Sequence, residues 1–196
     1  MLMKQVRVAI AGVACVALLV GFYYFLSHRT QPGAEEKVEI TEITKVTTKN
    51  LDTSYPATPR EVIKFYNRVL GCVYNDEYTE EEFDKLAEQI WTVMDTDLQE
   101  ANPLDQYRET LWADAEAYHA QKRVIATMSV CDSSDVELKK VGGRECAYVT
   151  ASYFLQSDKS FYRTNQQYVL RKDSDGKWKI YGFALMGGNN SYAQEE

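Results

Sequence analysis

Side chains suited to acid–base, nucleophilic or metal chemistry are few in this chain, and their spacing matches no familiar catalytic motif. The 196 residues include two histidines and four cysteines. His28 closely follows a long apolar stretch, and His119 lies near the end of a predicted helix with no nucleophile or metal ligand at a matching spacing. The sequence contains no GxSxG, HExxH, P-loop or dinucleotide motif. We therefore expect no catalytic site, no metal site and no cofactor.

The cysteines leave two interpretations open. Cys15 falls within the apolar stretch, and none of the other three belongs to a CxxC pair or a Cys/His pattern typical of zinc. Cys131 and Cys146 would meet if their strands pair, and an oxidising compartment would then favour a disulfide. The favoured alternative is that Cys72, Cys131 and Cys146 are buried free thiols.

Aromatic side chains are the remaining candidates for a ligand pocket. The chain has 14 tyrosines and three tryptophans. A tyrosine hydroxyl can stabilise an enolate, but that chemistry also requires a buried acid or histidine as base. The acids of the C-terminal half fall mainly in predicted turns, so packing is the favoured role for these rings. The residues predicted to point inward and to line any pocket are Tyr66, Trp91, Tyr107, Tyr153 and Tyr168.

The N-terminal segment indicates a membrane anchor. An uncharged stretch of 19 residues begins at Val8 and ends at Leu26, close to the roughly 20 residues that cross a bilayer. A cleaved signal peptide would have a shorter apolar region, and this one ends in aromatic residues suited to the membrane interface. We expect residues 8–26 to form an uncleaved transmembrane helix in the lipid bilayer; a buried core helix and a signal peptide are the alternatives.

Flanking charges predict the orientation of this anchor. Lys4, Arg7 and the amino terminus precede it, while Arg29 lies close to its other end and is followed by Glu35 and Glu36, so the difference is a charge or two. The positive-inside tendency places residues 1–7 in the cytoplasm. The protein would then be a single-pass protein of the cell membrane with its C-terminal domain outside the cytoplasm.

The charge of the chain argues against nucleic acid as a partner. The net charge is −7, whereas binding of a phosphate backbone requires a basic surface. Residues 59–123 carry 15 acidic and 7 basic residues, while residues 124–196 carry nine of each. The acidity is therefore concentrated in the helical half, where it indicates a solvated surface or, as the alternative, a basic partner.

Three amphipathic helices are predicted after a linker. Residues 27–56 are expected to be mostly solvated, because Gln31-Pro32-Gly33-Ala34 interrupts any helix. The alternative is a short strand that contains Val38, Ile40 and Ile43. Helix start signals follow at Thr58-Pro59, at Thr79 and at Asn102-Pro103. After each signal, apolar residues recur at helical spacing.

Four antiparallel strands are predicted in the C-terminal half, which makes the fold class α+β. The glycine pair at 142–143 would form a tight turn between the first two strands, and residues 173–176 a turn between the last two. The latter turn resembles a calcium loop, but its glycine stands fourth rather than sixth. The strands are expected over residues 124–131, 146–155, 161–171 and 177–185.

The order of these elements resembles the NTF2-like (cystatin-like cone) superfamily over residues 57–188. The resemblance is carried by the capped first helix with Phe65-Tyr66 and by the last hairpin, which contains Gly176-Lys177-Trp178-Lys179-Ile180. It implies three amphipathic helices packed on a bent four-stranded antiparallel sheet, followed by a flexible tail over residues 189–196. Small membrane-anchored proteins of Gram-positive bacteria are the nearest kin that it suggests.

The predicted function is a binding or assembly module whose ligand or partner protein the sequence leaves unknown. Strict alternation along the last strand places Tyr181, Phe183 and Leu185 on the side opposite Trp178 and Ile180, so both faces of the sheet would require a cover. NTF2-like proteins commonly dimerise through this sheet, and the resemblance therefore implies a homodimer face. The alternatives are a scaffold subunit of a conjugation or secretion complex, and an isomerase or dehydratase with a pocket between helices and sheet.

Overall fold

A computed structural model describes residues 40–157, 160–187 and 191–192. The predicted anchor over residues 8–26 and its flanking segments lie outside the described residues. Within the part that is described, no helix is both long enough and apolar enough to cross a bilayer. The described residues belong to one compact unit, Ile40–Glu196, and its fold is α+β.

Two helix starts are fixed by the capping chemistry that the sequence predicts. The Thr58 hydroxyl accepts a hydrogen bond from the backbone N–H of Glu61, and Thr79 forms a reciprocal capping box with Glu82. These contacts satisfy backbone donors that have no partner inside the helix. The α-helices are α1 (Glu42–Thr47), α2 (Pro59–Asn75), α3 (Glu80–Thr92), α4 (Thr96–Ala101) and α5 (Leu104–Ala120).

The third predicted helix, α5, starts where expected but without the expected cap. It follows Pro103 and has no side-chain hydrogen bond at its N-terminus. The Asn102 side chain instead donates to the carbonyl oxygen of Leu98 at 2.9 Å, at the end of the short helix α4, which the sequence analysis missed. Asn102 therefore ends one helix rather than capping the next.

Helix α1 corrects the predicted solvated linker. The hydroxyl of Thr41 caps this helix, and Ile43 and Val46 lie three positions apart on its buried face. Leu51 follows them into the hydrophobic core. The prediction of a solvated linker is wrong for this segment. Two apolar residues are too few to indicate a helix in the sequence, because a helix this short is stabilised by packing against the rest of the domain.

The strands of the described residues form one antiparallel sheet that is four strands wide. They are β1 (Arg123–Val130), β2 (Glu137–Val141), β3 (Arg144–Ser157), β4 (Ser160–Lys172), β5 (Trp178–Leu185) and β6 (Ser191–Tyr192). Each of the two outer positions is occupied by two shorter strands: β1 and β2 both pair with β3, and β5 and β6 both pair with β4. Strand β6 lies in the segment predicted as a flexible tail.

Both predicted turns form, although one joins a different pair of strands. Gly142 and Gly143 have φ angles of 58° and 82° and connect β2 to β3. The predicted partners of this turn were the strands that correspond to β1 and β3, because β2 was not predicted. In the second turn, the Asp173 carboxylate accepts hydrogen bonds from the N–H groups of Asp175 and Lys177. Gly176 completes this turn with a φ of 78°, a conformation that favours glycine.

The helices cover one face of the sheet and form a continuous core with it. Alternate residues of β3 are buried on this face, and Val149 pairs with Tyr168 of β4. The apolar stripes of α2 and α3 supply the opposite side of the core. Its largest fully buried side chains are Tyr168, Ile63, Leu86, Ile90, Leu170, Val46, Val62, Val69, Val73, Val93, Val149 and Cys72.

Helix α2 is tied to the edge of β1 at both of its ends. The side chain of Asn75 donates to the Ile125 carbonyl oxygen at 3.0 Å and accepts from the Ile125 N–H at 2.8 Å, as a neighbouring strand would. A register shift lies just beyond, before Thr127. At the other end of α2, Arg60 Nε donates to the carbonyl oxygen of Cys131 at 2.6 Å.

Candidate functional site

A chain of hydrogen-bonded side chains runs through the core between α2 and the sheet. The Tyr153 hydroxyl lies 2.8 Å from Asn67 Oδ1 and 2.6 Å from the Tyr168 hydroxyl. Tyr168 in turn lies 2.6 Å from the side-chain amide of Gln166. The ring of Tyr66 packs edge-on against Tyr168, with ring centroids 5.7 Å apart. The structure thus brings together three of the five residues predicted to line a pocket.

Burial keeps the three tyrosines protonated. It raises the pKa of Tyr153 to about 12 and raises the pKa values of Tyr168 and Tyr66 well above their ordinary range. Tyr153 and Tyr168 are only 4% and 1% exposed. Their hydroxyls therefore act as neutral hydrogen-bonding groups inside the core rather than as walls of an open cavity.

The other two predicted pocket residues serve different contacts. Trp91 Nε1 donates to the carbonyl oxygen of Asn102 at 2.9 Å, which ties α3 to the segment before α5. Tyr107 is near enough to Tyr66 to contribute to its raised pKa. Burial, followed by the charge of Asp114, raises the pKa of Tyr107 itself.

The hydrogen-bond chain requires one of its terminal amides to act as a donor. Two tyrosine hydroxyls supply two protons for three hydrogen bonds. The Tyr153 hydroxyl donates to Asn67 Oδ1, and the Tyr168 hydroxyl is placed to donate to Gln166 Oε1. A proton for the contact between the two hydroxyls is supplied if the half-buried amide of Gln166 turns its NH₂ group toward Tyr168. The amide nitrogen of Asn67 is then left buried and without a hydrogen-bond partner among the described residues.

Asn67 also lines a groove between α2 and β1. The groove has a volume of about 530 Å³. Its basic residues stand four positions apart on α2, which places them along one side of the helix. The apolar stripe of α2 does not indicate this groove, because the basic residues that line it lie on the polar side of the helix. The lining residues are Arg60, Lys64, Asn67, Arg68, Met128, Ser129 and Val130.

Ion pairs hold the two ends of this basic row. Arg68 contacts the Glu42 carboxylate at 2.6 Å, and the hydrogen bond from Arg68 lowers the pKa of Glu42. A guanidinium nitrogen of Arg60 lies 3.9 Å from Asp132. Lys64, between them, is exposed and forms none of the ion pairs found in residues 40–157 and 160–187. The middle of the groove therefore carries an uncompensated positive charge.

A second charged cluster joins α4 to the sheet. Asp95 caps α4 by accepting from the Asp97 N–H, and Arg171 of β4 hydrogen-bonds to both carboxylates. Burial opposes the charge of Arg171, but these hydrogen bonds outweigh it and raise the pKa of Arg171. The Tyr181 ring packs against the Arg171 guanidinium, 3.7 Å from the ring centroid. This geometry indicates that the cluster attaches α4 to strand β4 of the sheet.

A β-bulge in β5 divides the predicted homodimer face. The register shift leaves Tyr181 without a cross-strand partner, and Phe183 pairs with the buried Tyr168. Phe183 and Leu185 therefore lie on the helix-facing side of the sheet, while Tyr181 contacts Arg171, which lies on the outer side. The prediction that all three share the outer face is wrong because alternation was carried across the bulge.

Cations cover aromatic rings on the outer face, but not the end of the inner face. Phe183 and Leu185 are 57% and 67% exposed, and no helix or cation among the described residues covers them. These two residues are called the distal patch below. The covered outer pairs are Tyr148 with Lys139, Phe154 with Arg163, and Tyr181 with Arg171.

In a comparison with protein families, residues 1–183 match the family described as Domain of unknown function (DUF6715). The chain belongs to the DUF6715 family. The match spans the predicted anchor, all five described α-helices and most of the sheet. The family model therefore covers the N-terminal segment as well as the α+β domain. No curated protein matches the DUF6715 chain.

Nucleophilic and metal-binding side chains are separated in this DUF6715 domain. Cys72, Cys131 and Cys146 are free thiols, so the disulfide interpretation is wrong. Burial raises the pKa of Cys72 to about 12, which keeps it a neutral thiol. His119 is exposed and lies 3.1 Å from the Tyr74 carbonyl oxygen. Among the residues described, no group of three His, Cys, Asp or Glu side chains could hold a metal ion.

Proposed function

We propose that this DUF6715 protein is a membrane-anchored assembly module whose C-terminal domain lies outside the cytoplasm and pairs with a second copy. The observation that carries the proposal is the distal patch. Phe183 and Leu185 lie on the face that helices cover elsewhere, yet more than half of each side chain is exposed. Exposed apolar groups on a surface built to be covered favour association.

The anchor and the fold family are parts of the same proposal. An uncharged stretch of 19 residues between Val8 and Leu26 supports a transmembrane helix, and the positive charges before it support the orientation. Capped helices on one face of an antiparallel sheet four strands wide support an NTF2-like architecture. In this arrangement the domain binds a partner rather than converting a substrate.

The sheet edge beside the distal patch favours a second copy as the partner. Residues 93–95 flank β5 at Ile180, whose N–H donates to Val93 at 2.8 Å. Beyond that point, no strand of the described residues pairs with the free edge of β5 over residues 182–185. Two such edges related by a twofold axis would pair antiparallel and bring the two copies of Phe183 together. Anchoring both copies in one membrane would raise their effective concentration.

The test compares two Phe→Asp variants of the full chain in a neutral detergent. We expect the unmodified chain to be a dimer in sedimentation equilibrium and Phe183→Asp to be a monomer with an unchanged circular dichroism spectrum. Phe161→Asp is the matched control, because Phe161 is also exposed but lies on the outer face. A monomeric unmodified chain, or an equal loss of dimer in both variants, would contradict the proposal.

A further inference from the structure

We infer that the groove between α2 and β1 is a binding site for a phosphate group joined to an apolar part. Arg60, Lys64 and Arg68 line the groove in a row. This row lies in the half of the chain whose net charge is most negative, since residues 59–123 carry 15 acids and 7 bases. A solvated surface of that half would be acidic, so a basic groove within it indicates an anionic ligand.

The buried amide of Asn67 supplies an independent indication of a ligand. Asn67 is 4% exposed, lines the groove, and has an amide nitrogen without a hydrogen-bond partner in the described part of the chain. A buried donor that lacks a hydrogen-bond partner is unfavourable, and a ligand that accepts from it would remove that penalty. Because Tyr153 donates to the amide oxygen, the NH₂ group is the part of Asn67 that is left without a partner within the described residues.

The ion pairs at the two ends of the row leave its centre free for a ligand. Glu42 and Asp132 engage Arg68 and Arg60, so both guanidinium groups are oriented before any ligand enters. Lys64 carries the charge that these acids do not compensate. A phosphate between Lys64 and Asn67 would receive one charged and one neutral donor from adjacent turns of α2.

The size and walls of the groove indicate the rest of the ligand. Its volume of about 530 Å³ is far more than a bare phosphate fills and lies within the range typical of small-molecule sites. Met128 and Val130 of β1 are half-buried and line it opposite the basic residues. Both a phosphorylated metabolite and the headgroup of an anionic lipid present this combination of phosphate and apolar groups.

The test titrates the full chain in a neutral detergent and follows binding by calorimetry. The probes are inorganic phosphate, dihexanoyl phosphatidylglycerol and, as the zwitterionic control, dihexanoyl phosphatidylcholine. We expect Lys64→Met to weaken binding of the anionic probe about tenfold, which corresponds to losing one charged hydrogen bond. Lys64→Arg should restore most of the affinity. Lys85→Met, on the exposed face of α3, is the matched control and should bind as the unmodified chain does.

Each outcome of the titration decides one point. Binding of inorganic phosphate that depends on Lys64 supports the site and identifies a free phosphate compound as its ligand. Binding of phosphatidylglycerol alone, with the same dependence, supports the site and identifies a lipid headgroup. The inference is overturned if neither anionic probe binds saturably, or if Lys64→Met binds as tightly as Lys85→Met.

Discussion

Replacing Arg171 by Met should strongly destabilise the domain, because it leaves a buried carboxylate without its counter-ion. The side chains of Arg171 and Asp95 are only 12% and 9% exposed in their ion pair. Breaking such a buried pair on one side typically costs about 3–5 kcal/mol. Loss of the stacking on Tyr181 should add about 0.5–1 kcal/mol. The exposed contact with Asp97 adds little, since solvent screens it.

A second substitution separates the buried charge from the other losses. Asp95→Asn retains a residue that caps helices well but removes the charge. In the Arg171→Met background, it should therefore recover about 2 kcal/mol. Urea unfolding of a fragment spanning residues 40–196, followed by tryptophan fluorescence, measures all four members of this cycle. The reasoning is refuted if Arg171→Met loses less than about 1 kcal/mol, or if the double variant is no more stable than the single one.

Arg171→Met should also change how stability depends on pH at the acid end, by a small amount because the contact with Asp97 is exposed. The hydrogen bond from Arg171 lowers the pKa of Asp97 in the folded domain. The resulting stabilisation is complete above the pKa of the unfolded chain, about 3.9, and is lost as pH falls through the lower, folded value. In Arg171→Met this contribution is absent, so its unfolding free energy should depend less on pH below about 4.

The core and the hydrogen-bond chain lead to two further predictions. A fragment that begins at residue 57 lacks the buried Ile43, Val46 and Leu51, so it should unfold at a lower urea concentration than the fragment 40–196. In the longer fragment, Val46→Ala should lower the free energy of unfolding by about 1.6 kcal/mol, because it removes two buried methyl groups. Equal midpoints would mean that α1 is not part of the core. Tyr168→Phe should lose about 1–3 kcal/mol, because it leaves buried partners unsatisfied. Tyr162 is exposed, so Tyr162→Phe, measured in the same urea series, should change the free energy of unfolding by less than about 0.5 kcal/mol. Equal effects of Tyr168→Phe and Tyr162→Phe would refute a stabilising role for the hydrogen-bonded side chains.

Helix starts were predictable from the sequence because their chemistry is local. Thr58 and Thr79 contact backbone groups only three residues away, so the determining residues are adjacent in the printed sequence. Helix α1 was not predictable in this way. Its buried residues, Ile43 and Val46, resemble isolated apolar positions in a linker until α2 and α3 are present to pack against them.

Strand faces and the basic groove depend on contacts that the sequence does not order. Period-two alternation correctly placed Tyr153 and Tyr168 inside, but the bulge beside Gly182 reversed the face of every later residue of β5. A glycine within a strand was the available signal for that bulge. The spacing of Arg60, Lys64 and Arg68 also shows in the sequence that they share one side of a helix. The groove itself could not be predicted, because it forms only where β1 packs beside that helix.

The protected edge of the sheet limits how many copies can assemble by strand pairing. Asn75 occupies the hydrogen-bonding groups of Ile125 at the β1 edge. The neighbouring β2 is five residues long and includes Glu137, Lys139 and Lys140, charges that discourage strand addition. Among the described residues, these features protect the edge formed by β1 and β2 and leave the edge of β5 open. If two copies pair through β5 as proposed, the pair exposes only the protected edges, and we expect association of this kind to stop at two molecules.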